Sequence, residues 1–219
     1  MHTGDWPKTA VEALAVQERR RGSVDLTDDG PELPPTVTGL DVAYGEDDVI
    51  AAAVVTLETA GLTVVEERTH RAKAAFPYEP GLFAFRELPP LLAALERLER
   101  EPDVLVCDGH GLAHPRRFGL ACHLGVLTGL RAFGVGKTRF VGSYDPLAEP
   151  RGSSEPLVDA GEEVGAVLRT QDGVKPVFVS AGHRIGLAHA CRLTLALTPR
   201  YRLPETTRQA DRLSRAALK

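Results

Sequence analysis

Three β-branched runs follow one another at 37–43, 49–57 and 62–67 with only turn residues between them, and the chain then switches to helical stretches alternating with short apolar strands. Runs that close in sequence pair as an antiparallel meander, whereas strands interrupted by helices need crossovers and align in parallel. Both kinds in one chain predict a mixed sheet with helices on its two faces, a layered α/β domain. The expected alternation is a helix at 89–101, with Leu91, Leu92, Leu95 and Leu98 on one face and Pro102 as its stop, then a strand at 104–107. A helix at 118–130, strands at 132–135, 165–169 and 176–180, and a helix at 184–197 complete it. Ahead of the sheet, the spacing predicts an amphipathic helix at 11–21 and a polar, proline-bearing loop at 25–35. The stretch 142–156, with three prolines and two glycines, is the expected mobile surface segment.

A chain of 219 residues, 43% of them hydrophobic, can bury a full core, and its length fits one domain spanning 1–219. Its cysteines, Cys107, Cys122 and Cys191, are too few and too scattered for a disulfide scaffold, which points to reduced thiols and a cytoplasmic setting. No basic start leads into an apolar segment, and no run approaches the roughly 18 apolar residues of a membrane span, so neither export by that route nor a membrane is expected. The formal net charge is −4, but from Arg192 onward seven cations face Glu205 and Asp211, a local balance of +5 that leaves −9 elsewhere. Such an end reads as a solvated, Arg-rich helix when taken alone.

Asp41 interrupts an apolar strand pattern, where an ionised carboxylate needs a partner or a metal to offset its desolvation. Asp108 ends another apolar strand and opens Asp108-Gly109-His110-Gly111, whose glycines let backbone approach a ligand closely. Carboxylates at the C-terminal ends of strands are where α/β sheets place their sites. Two of them, side by side, make a hard oxygen site suited to Mg²⁺ and to phosphodiester hydrolysis. The competing reading for each aspartate alone is a strand-end cap or an ordinary ion pair.

Phe76-Pro77-Tyr78-Glu79-Pro80-Gly81 is a stiff, aromatic-tipped loop leading into Leu82-Phe83-Ala84-Phe85-Arg86-Glu87. A tyrosine so held can wedge between bases while a pocket receives an extruded nucleotide; a turn with a packed ring is the plainer reading. Three other chemistries are weighed. Cys107, His110, His114, Cys122 and His123 offer zinc ligands, without a usual zinc-site spacing. Ser180 and His183 suggest a hydrolytic triad, but no Gly-x-Ser-x-Gly frames the serine, which is better placed to cap a helix. Lys137 follows a short strand without the glycines of a Walker loop.

In order along nearly the whole chain, Pro77-Tyr78-Glu79-Pro80-Gly81 with Phe85-Arg86-Glu87, Asp108-Gly109-His110-Gly111-Leu112-Ala113-His114-Pro115-Arg116-Arg117, Gly134-Val135-Gly136-Lys137, Phe178-Val179-Ser180-Ala181-Gly182-His183 and Leu203-Pro204-Glu205-Thr206-Thr207-Arg208 resemble the endonuclease V family. The resemblance implies a ribonuclease H-like fold. It also implies Mg²⁺- or Mn²⁺-dependent cleavage of DNA at the second phosphodiester bond 3′ to deoxyinosine, leaving 3′-hydroxyl and 5′-phosphate ends. Asp41, Glu87 and Asp108 match the metal-binding carboxylates, and Asp211 stands where members carry His or Asp.

By the same resemblance Tyr78 is the wedge. Pro80, Gly81 and Phe83 belong to the loop touching the flipped base, and Gly109 and Gly111 to the pocket's opposite wall. Lys137 and His114 match positions near the scissile phosphate, where positive charge stabilises a developing anion, and Arg116 and Arg117 are expected to position flanking phosphates. Two departures from the family pattern stand out: Glu79 replaces an aliphatic residue inside the wedge, and Gly136 replaces the usual Ala before Lys137. The expected partner is inosine-containing DNA, acted on by a monomer, with inosine-containing RNA or a lesion-binding module that does not cut as the alternatives.

Overall fold

The computed structural model describes residues 6–27 and 30–219, in which an eight-stranded sheet is flanked by helices. The meander predicted from the first three apolar runs is present: β1 (Thr36–Tyr44), β2 (Val49–Glu58) and β3 (Val64–Lys73) pair antiparallel in sequence order. On the other side of β1, β4 (Leu105–Cys107) and β5 (Ala132–Gly136) run parallel to it, joined through α2 (Phe83–Leu95) and α3 (Leu120–Thr128). The antiparallel strands β8 (Val177–His183), β7 (Glu162–Leu168) and β6 (Ser154–Asp159) extend that edge, giving the order β3-β2-β1-β4-β5-β8-β7-β6.

Strand alternation sorts the core into two layers. Leu40, Val54, Leu105 and Cys107 pack against Leu88 and Leu91 of α2 and Leu124 of α3. Their neighbours Val37, Val55, Val104 and Val106 face the other way, against α4 (Leu187–Ala196) and Ala210 of α5 (Glu205–Leu218). Each fully buried Leu, Ile or Val removes about 1.5–3 kcal/mol worth of apolar surface from water. The first helix, α1 (Ala10–Arg21), is started by a Thr9–Glu12 capping box. It lies beside a smaller aromatic cluster in which Ala13 meets Phe76, Leu82 and Phe85.

Several sequence expectations are corrected. Helix α2 covers 83–95 rather than 89–101, so Pro89 and Pro90 lie inside it. A proline at 89 leaves the carbonyl four residues earlier without its helical donor. That carbonyl belongs to Phe85 and takes the Trp6 indole N–H at 2.6 Å instead. The stretch 142–156 lies largely exposed and enters β6 at Ser154, a strand the apolar pattern does not reveal. Ahead of that strand, Ser143 bridges to Val158, and the Arg169 guanidinium donates to the carbonyls of Leu147, Ala148 and Val174.

Strand β3 extends to Lys73 through charged residues of an edge, which an apolar pattern does not reveal. The polar stretch at 25–35 is irregular where described; residues 28 and 29, and residues 1–5 of the N-terminus, lie outside the described residues. Among the described residues no helix is long and apolar enough to cross a membrane.

Candidate active site

Parallel pairing of β1 with β4 sets Leu40 beside Cys107, so the next residue of each chain segment, Asp41 and Asp108, emerges on the same face of the sheet. The two carboxylates, with Glu87 from α2 and Asp211 from α5, line one cavity of about 260 Å³. Helix α5 reaches β1 because residue 39 is glycine. A Cβ there would stand 2.3 Å from the Thr206 carbonyl carbon, closer than packed atoms tolerate.

Each acidic group has its own partner. Asp41 Oδ2 accepts a hydrogen bond from Ser214 Oγ at 2.7 Å, and the Tyr44 hydroxyl donates to Glu87 Oε1. The Lys137 ammonium pairs with Asp108, and Asp211 receives the Arg215 guanidinium at 3.0 Å. Burial raises the pKa of Asp41 to about 6; the nearby Asp108 and Asp211 charges add to this, while Ser214 and Lys137 oppose it. Glu87 is raised to about 7, again chiefly by burial, with Asp41 and Asp108 adding and the Tyr44 hydrogen bond opposing. A surplus of negative charge, held out of water, is what a hard cation would relieve.

Beside the carboxylates a second cavity of about 310 Å³ is lined by Gly81, Phe83, Gly109, His110 and Phe140, and it shares Glu87, Asp108 and Lys137 with the acidic site. Its outer lip is the tyrosine loop. Leu82 N–H donates to the Glu79 carbonyl, closing a turn with Pro80 second and Gly81 third, and Gly81 has φ +79° as the third position of a type II turn demands. Tyr78 is 66% exposed at the tip, its ring 4.4 Å from that of Phe83 and 6.2 Å from that of Tyr44. Glu79 is half-buried, and its carbonyl is spent on the turn.

Four of the expected site residues have partners within the protein. His114 is buried, with Nδ1 accepting from the Arg116 amide and Nε2 against the Gly81 carbonyl, and burial pulls its pKa down to about 4. It therefore lines the pocket as a neutral ring near neutral pH. Arg116 is spent on Gln17 and the Gly81 carbonyl, and Arg117 on Asp159 and Glu162. The Arg117 guanidinium meets two carboxylates, whereas that of Arg116 meets only neutral oxygens and keeps its charge uncompensated by them. Gly111 sits behind the pocket wall, where its N–H donates to Ser180 Oγ and its Cα abuts Ala181.

That bond also disposes of the capping role considered for Ser180, which is buried within β8, while His183 Nδ1 accepts from the Asp25 amide. Cys107 and Cys122 are interior thiols whose pKa values burial raises, and His123 stacks on Trp6. Sequence reasoning missed Tyr44 and Ser214, which hold Glu87 and Asp41. Tyr44 reads as a strand end and Ser214 as one more polar residue of a solvated helix. The only available signal was the spacing of three that sets each near an aspartate, Asp41 or Asp211.

The mixed sheet, with carboxylates converging where β1 and β4 run parallel, is a ribonuclease H-like fold, and its solved neighbours narrow the class further. The endonuclease V family model matches residues 18–212. Endonuclease V of Streptomyces avermitilis is 59% identical over 218 residues, covering 98% of this chain and 94% of its own. The crystal structure of that organism's endonuclease V superposes with a TM-score of 0.94 at 58% identity, covering 100% of this chain and 96% of that one. Endonuclease V of Ciona intestinalis, solved in complex with a 24mer DNA containing an inosine followed by a ribo-adenosine, superposes at 0.83 with 28% identity, covering 95% and 97%. This chain belongs to the endonuclease V family and is a nuclease.

Proposed function

We propose that the protein is a divalent-metal-dependent endonuclease that cuts DNA at the second phosphodiester bond 3′ to deoxyinosine, leaving 3′-hydroxyl and 5′-phosphate ends. The observation that carries this reading is the shared wall between the two cavities: Glu87, Asp108 and Lys137 line both the acidic site and the pocket behind Tyr78. A nucleotide held in that pocket keeps its own strand beside the carboxylates. The inosine in the Ciona intestinalis complex supports hypoxanthine as the base.

Asp41, Glu87 and Asp108 would hold Mg²⁺, for which Mn²⁺ can substitute, since they offer only oxygen donors and two of them are strained by burial toward protonation. Among the described residues, no three acidic, His or Cys side chains already stand close enough to ligate one ion. Tyr44 and Lys137 engage one oxygen each, Glu87 Oε1 and Asp108 Oδ2, so the other oxygen of either carboxylate could face an ion. Once bound, the ion would supply Lewis acidity toward a phosphoryl oxygen and lower the pKa of nearby water. Lys137, beside Asp108 and lining both cavities, would place its ammonium where charge develops on the phosphate. Tyr78 fills the gap left by the extruded base, and main-chain groups of Gly81 and Gly109 read the base edge. Asp211 orients Arg215 and adds negative potential at the rim.

A labelled duplex carrying one inosine, incubated with Mg²⁺, should give a nick one nucleotide 3′ of the lesion, and intact substrate across metals and enzyme concentrations would overturn the reading. The ribo-adenosine in the Ciona intestinalis complex keeps RNA as a second reading. Duplexes with a deoxy or a ribo sugar 3′ to the inosine separate the two by their relative rates.

A further inference from the structure

Gln17 is a polar side chain with no solvent exposure, placed on the inner face of α1 one turn after the buried Ala13. Its amide uses both ends. Nε2 donates to the carbonyls of Gly81 at 3.0 Å and Phe118 at 3.3 Å, and Oε1 accepts from Arg116 Nε. Gly81 in turn is the third residue of the turn behind Tyr78, and its carbonyl faces three donors from two distant segments. Besides Gln17 these are His114 Nε2 at 3.0 Å and Arg116 Nη2 at 2.7 Å. Because His114 Nδ1 accepts from the Arg116 amide, Nε2 carries the ring proton and donates.

A carbonyl oxygen has two lone pairs, so three converging donors over-determine where it lies. Gln17 is the member that joins the others: it binds the carbonyl itself and also holds the Arg116 head that binds it. We propose that Gln17 is a positioning residue for the tyrosine-tipped turn, through which α1 fixes the height of Tyr78 and the mouth of the pocket behind it. Loss of its amide removes one bond to Gly81, frees Arg116 to rotate, and leaves the Phe118 carbonyl without this donor. His114 still reaches Gly81, so the turn survives with greater freedom.

The test uses the full chain with Gln17→Met, which keeps volume and removes both ends, and Gln17→Glu, which keeps the acceptor for Arg116 and loses the donors. Amide-resolved hydrogen exchange should speed up about tenfold at Leu82, whose N–H closes the turn, and at Phe85, whose N–H donates to the Leu82 carbonyl just after it, with exchange in β1 and β2 unchanged. On the inosine duplex KM should rise about tenfold with kcat within twofold, the order of effect expected from a small misplacement of a binding element. The kinetic arm rests on the proposed function; the exchange arm does not. If wild type fails to nick inosine DNA, the functional reading falls and exchange alone decides the role of Gln17. Unchanged exchange at Leu82 and Phe85 in both variants overturns the proposal. So does acceleration spread equally through β1 and β2 in both, which would make Gln17 a general support of the fold.

Discussion

Ser214 Oγ reaches across 173 residues of sequence to donate to Asp41 Oδ2 at 2.7 Å, tying the C-terminal helix to the first strand at the acidic site. The contact exists because Gly39 lets α5 lie against β1. It also lowers the pKa of a carboxylate that burial otherwise raises.

Removing that hydroxyl should therefore shift the pH dependence of cleavage more than its maximum. With Ser214→Ala the Asp41 pKa rises above its present value near 6, so a higher pH is needed to ionise the group. We expect cleavage at pH 8 within about threefold of wild type, a loss of about tenfold at pH 6, and a stability cost of about 1 kcal/mol for the missing hydrogen bond. A pH–rate profile with an unmoved acidic limb would contradict this role.

Substitution of Lys137 should separate binding from chemistry. Its ammonium pairs with Asp108 and lines both cavities, so Lys137→Met should lower cleavage by roughly 10²-fold, the usual cost of losing a preorganised charge at a developing anion. Affinity for an inosine duplex, measured by fluorescence anisotropy without metal, should fall less than about threefold, since one phosphate contact carries little of the total. Equal losses in both would place Lys137 in strand binding alone.

What could be read from residues alone divides by physical cause. The meander and the parallel strands were legible because β-branched runs and glycine-bounded turns are local signals, and Asp41 stood out because a charge inside an apolar strand violates its surroundings. The start of α2 was not legible: Pro89 argues for a helix beginning there, and only Trp6, 79 residues upstream of Phe85, supplies the donor that lets the helix run through. The partners of His114, Arg116 and Arg117 were not legible either, because Gly81, Gln17, Asp159 and Glu162 approach them only in the fold. Nothing in local sequence marks Ser214 or Tyr44 as partners of carboxylates.

Tyr78 should affect discrimination without affecting stability. Its ring is mostly exposed and touches Phe83 at the pocket lip, so Tyr78→Ala is expected to change unfolding free energy by less than about 0.5 kcal/mol. Preference for inosine over undamaged duplex should drop by about tenfold or more, because base–aromatic stacking is worth about 1–3 kcal/mol. Competition cleavage with two differently labelled duplexes reads this directly, and an unchanged ratio would remove the wedge role.

The raised carboxylates make a prediction about protons and metal together. Glu87 titrates near 7 in the fold against 4.5 as a free side chain, and Asp41 near 6 against 3.8. Between those values the folded chain holds protons that the unfolded chain has released. The contribution of these groups to stability is therefore full below about pH 4 and falls as pH rises toward 7. Groups with depressed pKa values, such as Asp25, act in the opposite sense, so the comparison that isolates the site is wild type against Glu87→Gln, which stays neutral throughout. Without metal, the variant should equal wild type in Tm near pH 4 and exceed it by a widening margin up to pH 8. Added Mg²⁺ should reverse the order, raising the wild-type Tm little at pH 5.5 and more at pH 8, because an ion must displace the same protons. The variant should respond weakly at both. A Mg²⁺-induced shift independent of pH, or equal in the two proteins, would mean that Glu87 is not among the groups the ion meets.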